Sequence, residues 1–140
     1  MKSLDANIFL RYLVRPVTTA NQARQLACGQ LFERLRTGRE QVTTCEAIIA
    51  EVIFVLIAKA HYDLSHQDAA ARLRPILTLR GLKLPHKRRY LRALDLFANS
   101  PRLDFEDALL SAHVEREQPP ELYSYDTDFD ALPSVTRLEP

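Results

Sequence analysis

Carboxylates are the side chains with the most chemistry to offer in this chain. They stand at four places: Asp5, Glu51, the pair Asp104 and Asp107, and the group Asp126 and Asp128. Oxygen-only donor sets select hard cations such as Mg²⁺ or Mn²⁺. Ions of that kind lower the pKa of a bound water and stabilise developing negative charge. Glu51 is the most informative of the acids, because it interrupts the most apolar run, residues 47–58. In a helix its neighbours three and four positions away are Ala47, Ile48, Phe54 and Val55. All are apolar, so the pattern predicts a carboxylate inside a buried stripe. A buried acid there needs a metal ion, an arginine or a proton.

The other acids each have a plain structural use as well. Asp104-x-x-Asp107 is a capping arrangement at a helix start, with Asp107 in the first turn near the positive end of the helix dipole. Asp126-Thr127-Asp128-Phe129-Asp130 begins like a calcium loop, but Ala131 stands where glycine is required and Arg137 where the closing glutamate belongs. It reads otherwise as a polar turn after a strand. Asn7 removes the second aspartate that a haloacid-dehalogenase phosphatase would need after Asp5. His61, His66, His86 and His113 lack zinc spacing, and three glycines cannot build a phosphate loop. Lys87-Arg88-Arg89 with Arg92 forms a basic patch beside Tyr90, read as a solvated helix face that could hold phosphates.

Several elements must position these acids. A strand over 1–4 ends at Asp5, and a brief helix over 8–13 stops before Pro16. Thr18 or Thr19 caps a helix that ends at Gly38. A short strand over 41–44 leads to the Glu51 helix, with Thr44 as its cap. Ser65 and Asp68 start a helix to about Leu79, which Pro75 should kink or end. After Gly81 come a weak strand over 82–84 and a helix over 87–98. A helix over 105–117 stops at Pro119-Pro120, a strand over 122–125 ends at Asp126, and an edge strand follows over 135–138. Short strands alternating with helices predict an α/β fold, a short central parallel sheet flanked by helices. Ligands of such sheets bind beyond the carboxyl ends of the strands, where both Asp5 and Asp126 fall.

Composition narrows the rest. The chain has 140 residues, of which 46% are hydrophobic and 26% charged, with a net charge of +1. That suits one domain over 1–140 and gives no bulk attraction for nucleic acid. No segment is apolar enough for a membrane span, and the start lacks a signal-peptide core. Cys28 and Cys45 read as reduced thiols of a cytoplasmic protein.

Four segments together resemble the PIN-domain ribonucleases, and most closely the VapC-like toxins of type II toxin–antitoxin pairs. They are residues 4–13, residues 46–56 centred on Glu51, residues 103–109, and residues 123–129. The resemblance implies a three-layer α/β/α fold. It implies a Mg²⁺ (or Mn²⁺) site on Asp5, Glu51, Asp107 and Asp126, with Asp128 helping and Asn7 and Ser124 orienting. Ala6 stands where Thr or Ser is usual, and Ser124 where Thr is usual; Asp104 has no assigned role. The implied activity is endoribonucleolytic cleavage of structured RNA such as tRNA, leaving 5′-phosphate and 3′-hydroxyl ends. A cognate antitoxin and a homodimer are the implied partners. A housekeeping RNA-processing nuclease and a non-catalytic protein-binding module are the rival readings.

Overall fold

The computed structural model describes residues 1–14 and 19–140. β1 (Lys2–Ser3) pairs in parallel with β2 (Val42–Thr43), and the Leu4 amide extends the pairing by donating to the Thr43 carbonyl at 2.9 Å. The expected strand over 82–84 shrinks to one bridge, Val42 to Leu82, flanked by Val42 N–H to Gly81 O and Lys83 N–H to Val42 O, both 2.8 Å. β3 (Glu121–Tyr123) pairs in parallel with β4 (Thr136–Leu138). The short parallel strands lie between helices in a three-layer α/β/α arrangement, with their ladders divided into two parallel pairs.

Among the described residues six helices cover the strands: α1 (Ala6–Leu13), α2 (Thr19–Thr37), α3 (Glu46–Ile57), α4 (His66–Leu77), α5 (Lys87–Asn99) and α6 (Phe105–Val114). α2 ends as expected at Gly38, whose φ of 77° closes the helix in the left-handed region. Thr18, one of its two expected caps, and Pro16 lie outside the described residues. Gly81 is required by contact: a Cβ there would meet the Glu40 carbonyl oxygen at 2.2 Å. This close approach seats the C-terminal end of α2, at Leu35, against the 81–83 segment that pairs with β2. Ser65 caps α4 by accepting from the Asp68 amide at 3.0 Å. Pro75 lies inside α4, which ends two residues later, and Thr78 Oγ1 donates to the Pro75 carbonyl at 2.9 Å.

Several boundaries differ from the sequence reading, and three of them bear on the acids. Cys45, not Thr44, is the N-cap residue of α3; the Thr44 hydroxyl instead donates to the Leu4 carbonyl at 2.9 Å and ties α3's start to the end of β1. α6 ends at Val114 rather than near Glu117. β3 ends at Tyr123, so Asp126 lies in the turn beyond it, at the start of a 3₁₀ turn, Thr127–Ala131.

One hydrophobic core runs from Leu4 to Val135, with Phe9, Phe32, Phe97 and Phe105 among its largest fully buried side chains. α5 packs on α4 and α6, and α1 on α2 and α3, which in turn meets α4 and α6. Arg92 of α5 grips Glu115 after α6 through two hydrogen bonds of 2.8 Å, and Ser134 also donates to Glu115. The helices that carry Glu51 and Asp107 therefore sit on a fixed frame.

Candidate active site

Asp5 follows β1 directly and is the N-cap residue of α1. Its backbone is extended, its side chain is exposed, and it makes no capping hydrogen bond, so the carboxylate is not committed to the helix. Its carbonyl accepts from the Ile8 amide at 3.1 Å. The Thr44–Leu4 hydrogen bond places Asp5 beside the start of α3. Asn7 is exposed in the first turn of α1.

Glu51 corrects the sequence reading: it is exposed, not buried. The core face of α3 consists of Ile49, Val52, Ile53 and Leu56, and Glu51 lies on another face with Ala47 and Phe54, itself 64% exposed. α3 is apolar nearly all round, so spacing alone did not show which face is covered. Glu51 lines a groove of about 600 Å³ between α3 and α6, together with Glu46, Glu106 and Leu109.

Asp104 caps α6: its Oδ1 accepts from the Asp107 amide at 2.7 Å. Ser111 Oγ donates to the Asp107 carbonyl at 2.8 Å, so the segment bearing Asp107 is held from both sides. The Asp107 carboxyl is half-buried and its pKa is pushed up to about 6. Burial is the largest cause; the charge of Asp104, a hydrogen bond to Asp104 and the charge of Asp126 follow. Like charges disfavour ionisation in this way when no cation lies between them.

Ser124 is half-buried, and its Oγ accepts from the Asp126 amide at 3.0 Å. Asp126 in turn accepts from the Asp128 amide at 2.9 Å and so starts the 3₁₀ turn. Asp128 lies 3.8 Å from Arg102. Asp130 is drawn away from the group, since Arg137 takes it at 2.8 Å. Both structural uses expected for these acids, the cap at Asp104 and the turn at Asp126, are therefore present.

The family model for the PIN domain matches residues 3–135. The chain belongs to the PIN domain family. No curated protein matches it. PIN domains have a nuclease-type fold and are generally metal-dependent nucleases that act on RNA. No helix among the described residues is long and apolar enough to cross a membrane.

Asp104, Asp107 and Asp126 of this PIN domain interact across elements, and the Asp128 amide donates to the Asp126 carboxylate. Asp5 and Glu51 stand on neighbouring elements. Among the described residues, no three His, Cys, Asp or Glu side chains converge closely enough to hold a metal ion. In kind the donors fit a hard divalent cation, being oxygen-only and already strained by like charge at Asp107. Glu46 and Glu106 were not singled out from sequence, yet both line the Glu51 groove. Their signal was position: each stands in the first turn of a helix that carries a singled-out acid. The basic patch is also not simply solvated. Lys87 Nζ donates to the carbonyls of Leu79 and Leu82, Arg92 is bound to Glu115, and Arg89 is half-buried.

Proposed function

We propose that this chain is a Mg²⁺- or Mn²⁺-dependent endoribonuclease and the toxin of a toxin–antitoxin pair. The observation that carries the nuclease reading is the raised titration of Asp107 beside Asp104 and Asp126. A half-buried carboxyl that feels an acid of its own element, Asp104, and one of a distant segment, Asp126, suits a phosphodiesterase site and is what a stable fold otherwise avoids. The toxin reading rests on the likeness of residues 4–13, 46–56, 103–109 and 123–129 to VapC-like toxins.

In this reading Asp5, Glu51, Asp107 and Asp126 would hold the cation, with Asp128 assisting. The ion supplies charge neutralisation and an activated water. Asn7 and Ser124 orient the carboxylates, Ser124 through its hydrogen bond with the Asp126 amide. Asp107, which holds its proton to about pH 6, would release it to solvent on loading of the site. The substrate is structured RNA such as tRNA, cut in single-stranded loops where bases can be splayed out. The domain works in the cytoplasm as a homodimer, a reading supported by exposed Leu26, Phe54 and Leu110 on three helices.

One observation favours the non-catalytic binding module: the carboxylates of the described residues do not converge on a single point. Cellular RNA incubated with the protein and Mg²⁺, with the ends sequenced, separates the two. Discrete cleavage that stops in EDTA and in Asp5→Asn supports the nuclease. Intact RNA across all metals refutes it.

A further inference from the structure

A second cavity, of about 260 Å³, opens beside the acidic groove. It lies between the start of α3 and the start of α5, and Glu46 and Leu109 form a wall common to both spaces. Thr44, Cys45, Glu46, His86, Arg89 and Tyr90 give it its chemistry. Two of these side chains are unusual. Arg89 Nε is buried without a hydrogen-bond partner, at a cost in free energy, so donation into the cavity falls to the outer guanidinium nitrogens. Glu46 stands in the same cavity, yet among the described residues it forms no ion pair with Arg89 or any other cation. Tyr90 is 8% exposed, and its hydroxyl is held above its ordinary range by burial first and then by Glu46 and Cys45, while Arg89 acts in the opposite direction. The cation and the anion therefore both lie around Tyr90 and leave each other unpaired.

A cavity that offers a guanidinium and a carboxylate, held apart, is complementary to a group with acceptors on one edge and donors on the next. Guanine has this pattern: O6 and N7 accept from an arginine, and N1–H and the N2 amine donate to a carboxylate. Unpaired bases of single-stranded RNA are read on these edges and stack on aromatic rings. The shared wall sets the cavity within reach of a nucleotide that adjoins the acidic groove.

We propose that this cavity receives an unpaired guanine of the RNA adjoining the cleavage point, with Arg89 donating to its O6 and N7 and Glu46 accepting from its N1–H and N2 amine. The inference rests on the ribonuclease reading and adds the base that the enzyme selects. Phosphate is the weaker occupant, since Glu46 would repel it.

Two measurements test this. In the first, a short unstructured RNA with one guanine is bound to the full-length protein in EDTA and followed by fluorescence anisotropy. Replacing guanine by inosine, which lacks the N2 amine, or by adenine should weaken binding roughly tenfold. Glu46→Gln should abolish the difference between guanine and inosine, and Arg89→Ala the difference between guanine and adenine. Arg89→Lys, which keeps the charge but loses the planar fork, should also lose it while retaining most affinity; this variant serves if Arg89→Ala fails to fold. In the second, cleavage ends from cellular RNA are sequenced for wild type, Arg89→Lys and Glu46→Gln. Wild type should show guanine enriched at one fixed position beside the cut, and both variants should flatten it. Binding or cleavage indifferent to the base, or a guanine preference that survives Arg89→Lys, overturns the pocket and leaves the nuclease standing. A different base at the fixed position overturns the guanine assignment. Absence of both binding and cleavage for every RNA refutes the ribonuclease reading beneath it.

Discussion

Replacing Asp107 by asparagine should stabilise the metal-free protein, and only at neutral and alkaline pH. Asp107 titrates near 6 instead of its ordinary 3.8 because burial, Asp104 and Asp126 all oppose its charge. The folded protein thus holds a proton that the unfolded chain gives up near pH 4. Stability is lost as the pH rises from about 4 to about 6, and above that the full cost of ionising Asp107 is carried. At face value the difference amounts to about 3 kcal/mol. The carboxyl is only half-buried and water screens it, so about 1 kcal/mol is the reasonable magnitude. For a chain of this size that is a shift in melting temperature of roughly 3 °C.

The asparagine side chain removes the charge while its amide still donates to Asp104 as a protonated aspartate does, and the backbone bond from position 107 to Asp104 is untouched. The assay is thermal melting of both proteins in EDTA at intervals from pH 5 to pH 8. The two curves should lie close together at pH 5 and separate by about 3 °C at pH 8, with the Asp107→Asn variant the higher. Added Mg²⁺ should then raise the wild type and leave the variant almost unmoved. Parallel curves, or a variant less stable at pH 8, would refute the argument that like charge crowds Asp107.

The other outcomes are as follows. Asp5→Asn should abolish Mg²⁺-dependent RNA cleavage with the melting point unchanged, because the exposed side chain makes no capping bond; full activity of this variant would count against Asp5 as a ligand. Glu51→Gln should also abolish cleavage, and since Glu51 is exposed the variant's stability in EDTA should stay within about 0.5 kcal/mol of wild type. Glu115→Gln should cost about 1 kcal/mol at pH 7, read by urea unfolding, because Arg92 and Ser134 both bind the carboxylate. Arg92 and Ser134 hold the Glu115 pKa below its ordinary value, so this stability is present above about pH 4 and the gap to the variant closes as the pH falls further. Induced in a sensitive host, wild type should arrest growth and Asp107→Asn should not; equal arrest by both would move toxicity away from the acids.

Much of the fold could be read from local signals with direct physical causes. The Ser65–Asp68 and Asp104–Asp107 caps form as their spacing requires. Gly38 ends α2 with the positive φ that favours glycine. Strand positions were legible to within two residues, but not the division of the ladders, since segments of two or three residues carry no register information of their own. Thr44 was misread as a cap because its hydroxyl has a competing acceptor, the Leu4 carbonyl, that is distant in sequence.

Glu51 and Arg89 show the same limit from opposite sides. Spacing puts Glu51 in the core because all its helical neighbours are apolar, yet α3 has more apolar surface than the core covers. Phe54 remains exposed with it, and the face between α3 and α6 becomes a groove. The charged neighbours of Arg89 in sequence put it in solvent, yet at the start of α5 it lines a cavity with Tyr90, where Nε loses water without gaining a partner. In both cases the periodicity gave the helix and not its rotation. Rotation is fixed by what packs across from it, here Leu109 of α6, which lines both cavities. A substitution at Leu109 should therefore disturb the acidic groove and the Arg89 cavity together, while one at Phe54 should reach the groove alone.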